Sequence, residues 1–96
     1  MIINRSKQLR PIMKKRLDQL QHHSPATVTG VDWAALSESE GRRLRNLGLD
    51  EGVMVEALHA GPFGRDPLAV RIGRTTLAMR RVHARVIHVS EQLAAE

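Results

Sequence analysis

The groups able to do chemistry in this 96-residue chain are five histidines and a scatter of arginines and carboxylates, with no cysteine at all. Without thiols there is no disulfide, no thiolate zinc site and no cysteine nucleophile. The imidazoles of His22, His23, His59, His83 and His88 are therefore the softest metal ligands on offer. A metal site needs its ligands on one face. His22 and His23 are adjacent in sequence, so their side chains diverge whether the backbone is helical or extended. No His-x-x-x-His pair and no carboxylate-flanked pair occurs. His59 can approach His88 only if their strands pair.

Covalent and phosphoryl chemistry find less. No Ser-His-Asp arrangement can be read from the spacing, and Gly61-Pro62-Phe63-Gly64 lacks the Lys-Ser/Thr that would make it a phosphate loop. Arg80-Arg81 has the chemistry of an arginine finger reaching a partner's nucleotide, and equally that of a solvated strand end. Phe63 sits at the tip of a Gly/Pro segment, where an aromatic either folds back onto the domain or anchors a partner. In the second case Leu49 and neighbouring residues complete a docking patch. The expectation is a chain that binds and does not catalyse, with no cofactor.

The elements that must position these residues come from a single small domain. A chain this size buries roughly 60–65% of its unfolded surface, enough for one modest core. The formal charge of +5 is unevenly placed. Residues 1–23 carry six cationic side chains against Asp18 alone, while residues 24–96 balance nine arginines with nine acids. The basicity belongs to a leader and not to the domain. With only Trp33 and Phe63 as aromatics, a base-stacking platform is poorly supplied and no nucleic-acid partner is expected. No secretory signal and no membrane span is visible, so the expected location is the cytoplasm.

Within the leader, Leu9, Ile12, Met13, Leu17 and Leu20 fall on a helical arc of about 140°, interrupted by Arg16. Such a helix would lie on an anionic membrane surface or in a partner's groove, or cover one end of the domain. Ala26–Val31 reads as a strand, and Ser37-Glu38-Ser39-Glu40 as a capping box opening a helix that stops at Gly48. Val53–Leu58, Leu68–Ile72, Leu77–Met79 and Val86–Val89 alternate as further strands, with residues 61–67 as a loop. The expected fold is mainly β: a small SH3-like barrel of five strands with one helix between the first and second. Leu44, Leu49, Val55, Leu68, Val70, Leu77 and Val86 are its expected core. The divisions are a basic leader or short helix over 1–16, the barrel over 17–90 and a polar tail over 91–96.

Four blocks in this order resemble the FeoA family, small accessories of bacterial ferrous-iron transport. They are Leu47-Gly48-Leu49-Asp50-Glu51-Gly52, Pro62-Phe63-Gly64-Arg65-Asp66-Pro67, Leu77-Ala78-Met79-Arg80-Arg81 and Ala84-Arg85-Val86-Ile87-His88-Val89. Leu17-Asp18-Gln19-Leu20 fits the family's opening Leu-x-x-Leu. Arg65 is one residue more than the usual loop contains, and His83 stands where a Glu is common. The resemblance implies a cytoplasmic adaptor for the FeoB ferrous-iron transporter, meeting its G-protein portion at the inner face of the membrane. Leu49, Pro62, Phe63, Arg65, Arg80 and Arg81 are the candidate partner-binding residues. Whether His59, His83 or His88 holds or senses iron stays open at this point. The rival reading is a small-barrel module of metal-dependent regulation or nucleic-acid binding.

Overall fold

A computed structural model describes residues 12–63 and 65–92. Six antiparallel strands form one sheet in the order β1-β6-β2-β3-β4-β5. They are β1 (Ile12–Arg16), β2 (Ala26–Val31), β3 (Met54–Phe63), β4 (Asp66–Ile72), β5 (Thr75–Met79) and β6 (Ile87–Gln92). Helix α1 (Glu38–Asn46) bridges β2 and β3, and a single turn, α2 (Arg81–Ala84), leads from β5 to β6. The SH3-like, mainly β reading holds, with two amendments. There is a sixth strand, and β1 and β5 stand at the two margins without pairing to each other among the described residues.

The alternation seen in sequence becomes burial. Val28 of β2, Val55 and Ala57 of β3, Leu68, Val70 and Ile72 of β4 and Ile87 and Val89 of β6 all point into one core with Leu17 and Met79. Leu77 and Val86, expected inside, are only partly buried against it. Val86 belongs to the turn after α2, and the last strand opens at Ile87.

Helix α1 begins as the sequence requires and ends more tightly than expected. The Ser37 hydroxyl accepts from the Glu40 N–H at 3.1 Å. The Glu40 carboxylate does not complete the box but faces Arg43 at 2.9 Å and His83 at 3.4 Å. At the other end Gly48 adopts φ +103°, the left-handed conformation that costs glycine least. The Leu49 N–H donates to the Leu44 carbonyl and the Gly48 N–H to the Arg45 carbonyl, each at 3.0 Å. This double bond pattern is a Schellman ending, which turns the residue after the glycine back onto the helix's last turn. Leu49 is carried into the core beside Leu44.

Two expectations are corrected by the strands. Residues 12–20 do not form the amphipathic helix: Ile12–Arg16 pair with Gln92–His88 of β6, and Leu17–Gln19 make a 3₁₀ turn. A helix that short is marginal alone, whereas the open margin of β6 offers a full ladder. The charged residues also fit the strand: Lys15 reaches Glu91 at 2.8 Å. The second correction is the loop over residues 61–67. Strand β3 runs through to Phe63 and β4 starts at Asp66, with Phe63 opposite Asp66. Register shifts after Ala57 and Ala60 absorb Pro62, which cannot donate to a ladder. Gly61 permits the crossing, because a Cβ there would stand 2.7 Å from the Asp66 carbonyl oxygen.

Candidate partner-binding surface

The end of the sheet where β3 turns into β4 collects five of the six candidate residues, all but Leu49. Arg65 occupies the turn itself at φ +67° and is exposed. Asp66 follows, and its Oδ1 accepts the backbone N–H of Arg81 at 3.0 Å, supplying α2 with an acceptor that Arg80 does not provide. From there the Arg81 guanidinium reaches back: Nη1 donates to the Arg65 carbonyl at 3.3 Å and Nη2 to the Asp18 carbonyl at 2.7 Å. The 3₁₀ turn, the β3–β4 turn and α2 are thus tied by one side chain.

This geometry separates the candidates by what they are free to do. Arg80 and Arg65 are exposed, and Val82 beside them is an exposed aliphatic at 47%. Arg81 is half-buried and committed to carbonyl oxygens of its own chain. Leu49 is 1% exposed and offers nothing to a partner, a correction that follows from the Schellman ending of α1. The backbones of Pro62 and Phe63 belong to β3, and their side chains lie outside the described residues. Asp18 lines a shallow recess of about 510 Å³ with Gln19, His22 and Arg65. Its carboxylate grips Arg16 through two bonds of 2.9 and 3.1 Å, raising the Arg16 pKa above its ordinary value.

The histidines do not converge. Strand β2 lies between β3 and β6, so His59 and His88 never become neighbours. His23 has Glu56 at 3.9 Å, and His83 has Glu40 at 3.4 Å, one acid each. Among the described residues no three His, Asp or Glu side chains gather to hold a metal ion. His83 nevertheless has a role that a Glu at this position would not share. It sits against an acidic side chain and links α2 to α1.

Two features were not anticipated. Glu91 is buried in β6, where its carboxylate meets Lys15 of β1 and accepts from the Ser24 hydroxyl. Those bonds, Lys15 first and Ser24 second, hold the Glu91 carboxyl below its ordinary pKa of 4.5. The second feature is Trp33, half-buried against α1 with the Arg45 guanidinium 4.0 Å from its ring centre. One signal pointed there: Gly41 in a helix interior is unfavourable by about 1 kcal/mol relative to Ala, and the indole packs over that position.

A mainly β chain of six antiparallel strands with one capped helix between the second and third defines a class: the small SH3-like domain. The comparisons specify it further. The FeoA domain profile matches residues 15–91, and the chain belongs to the FeoA family. FeoA from Chlorobium tepidum is 34% identical, with 85% of this chain and 73% of that one aligned at a TM-score of 0.70. Stenotrophomonas maltophilia FeoA, solved with zinc and described as a prokaryotic SH3 domain protein, is 33% identical. There 83% of this chain covers 99% of that one, at a TM-score of 0.68. A comparison with curated proteins finds no match. IdeR of T. acidophilum, 17% identical over 88% of this chain and 37% of its own, shares the fold at a TM-score of 0.68. That likeness concerns the fold alone.

Proposed function

We propose that this protein is a non-catalytic accessory of ferrous-iron uptake that binds the cytoplasmic G-protein portion of a FeoB-type transporter. The carrying observation is the FeoA match over residues 15–91, reinforced by the S. maltophilia relative, whose description is of a candidate ferrous-iron transport activating factor. Arg65, Arg80 and Val82 are the exposed groups at the β3–β4 end, a mixed cationic and aliphatic surface suited to a protein partner. Phe63, at the tip of the same hairpin, is its proposed anchor. A binder of this kind moves its partner only by preferring one of the partner's conformational states. No helix among the described residues is long and apolar enough to cross a membrane, which accords with action from the cytoplasm. Lys14 on β1 and the cations that precede it add attraction to an anionic membrane face, roughly 1 kcal/mol for each well-placed charge.

The test is a titration of the whole chain against the cognate transporter's G domain, with and without guanine nucleotide. Saturable binding that Phe63→Ala or the Arg65→Glu/Arg80→Glu pair weakens, at unchanged melting temperature, is the expected result. Absence of binding in every nucleotide state, with transporter-containing membranes also tried, would overturn the reading.

A further inference from the structure

The outer face of α1 makes a second surface. Positions 38, 41, 42, 45 and 46 recur at intervals of three and four, so they form one stripe along the helix. With Trp33 and Leu36 the stripe encloses a groove of about 460 Å³. Gly41 lies at its base against the edge of the Trp33 indole, and its apolar wall is that indole with Leu36. Its rim carries two arginines, Arg42 and Arg45, against one acid, Glu38. Of the three arginines of α1, Arg43 is neutralised by Glu40 at 2.9 Å. Arg42 and Arg45 make no ion pair among the described residues. Both are exposed, and Arg45 is held in place by the ring beneath it at 4.0 Å.

We infer that this groove docks an acidic segment of a partner protein, with Arg42 and Arg45 reading carboxylates and the Trp33–Leu36 wall taking an aliphatic side chain between them. Guanidinium groups bind carboxylates through paired parallel bonds. An arginine already stacked on an indole loses less freedom when it does so. Tryptophan and arginine are also the residue types that dominate interface energetics. A nucleic-acid strand fits less well, because two cations make no continuous track for a phosphate backbone. A membrane surface is too flat to enter it. The inference does not rest on the transporter reading, since it uses none of the residues at the β3–β4 end.

Trp33 is the only tryptophan in the chain, so its emission reports on this groove alone. The whole chain is titrated with a short peptide of alternating glutamate and leucine, its glutamine-for-glutamate counterpart, an oligo-dT strand and phosphatidylglycerol vesicles. A saturable change in Trp33 emission with the glutamate peptide is expected, absent with the glutamine peptide. It should weaken about tenfold or more in Arg42→Glu/Arg45→Glu and stay unchanged in Arg74→Glu. Circular dichroism of the variants keeps folding out of the comparison. A glutamate peptide that does not saturate overturns the inference. So does equal binding by the reversed variant, or a response to oligo-dT or vesicles with the peptide silent.

Discussion

At the scale of single residues, the two most informative side chains are charged and inward. Glu91 keeps its charge in the sheet interior because Lys15 and Ser24 supply bonds that water would otherwise give. A carboxyl whose native pKa lies below 4.5 adds stability that is complete above that value and lost as pH falls through the native one. Glu91→Gln should therefore flatten the acid side of the stability curve, read as denaturation midpoints from neutral to acidic pH; parallel curves would contradict it. Arg81 works differently, through geometry. Its guanidinium satisfies carbonyls of two turns, so Arg81→Ala should lose about 1–3 kcal/mol by chemical denaturation. An unaltered midpoint would mean that the Arg65 and Asp18 carbonyls find water as readily.

Among the elements, the hairpin of β3 and β4 is the most constrained. Gly61 stands so close to the Asp66 carbonyl that any side chain forces the two strands apart. We expect Gly61→Ala to cost about 1–3 kcal/mol as an overpacking change and to shift amide resonances at residues 65, 66 and 81, which the Asp66–Arg81 bond links. The interior itself is tested by Leu44→Ala or Val70→Ala, each fully buried and each expected to lose on the order of 2–4 kcal/mol. A melting temperature unmoved by either would contradict the core described above.

The same elements explain what the sequence could and could not reveal. Strands β2 and β4 announce themselves, because β-branched or aliphatic residues alternate there and one face is buried. The Leu-Gly-Leu ending of α1 was visible as a helix stop, but not its consequence. Leu49 was legible both as core and as part of a docking patch, and the Schellman turn that carries it inward decides for the core. Residues 12–16 misled for a different reason: apolar residues there satisfy a helical arc, while the strand depends on partners 72 to 80 residues later, Arg16 with His88 and Ile12 with Gln92. Trp33 and Arg45 meet only through tertiary contact, so apart from Gly41 in the helix interior the sequence carried no trace of the groove. Arg80 and Arg81, identical neighbours in sequence, were divided by Asp66, whose acceptor fixes α2 and aims one of the pair inward.

On the scale of the whole molecule, β1 is part of the sheet and not an appendage. Removing residues 1–16 takes away the ladder on β6 and the cation facing Glu91. The shortened chain should melt lower and self-associate as concentration rises, because an unpaired strand margin invites a second copy. Sedimentation velocity with a thermal melt checks both; a monomer of unchanged stability would return β1 to the status of a dispensable leader. Strand β1 covers the edge of β6 and is itself the margin of the sheet on that side among the described residues.

The order of the strands also fixes when the molecule can exist. Among the described strands β6 is made after all the others, yet it lies between β1 and β2, the earliest two. During translation those early strands have no partner for one another, and helix α1 and the β3–β4–β5 meander must wait beside an unfilled gap. Native structure on the ribosome is therefore postponed until the final strand has emerged, in keeping with the slow closure of sequence-distant strand pairs. The same adjacency means that a peptide linker joining Gln92 directly to Ile12, with new ends opened at the Gly73-Arg74 turn, would make β6 and β1 a local pair. Such a permuted chain would assemble its most distant contact first.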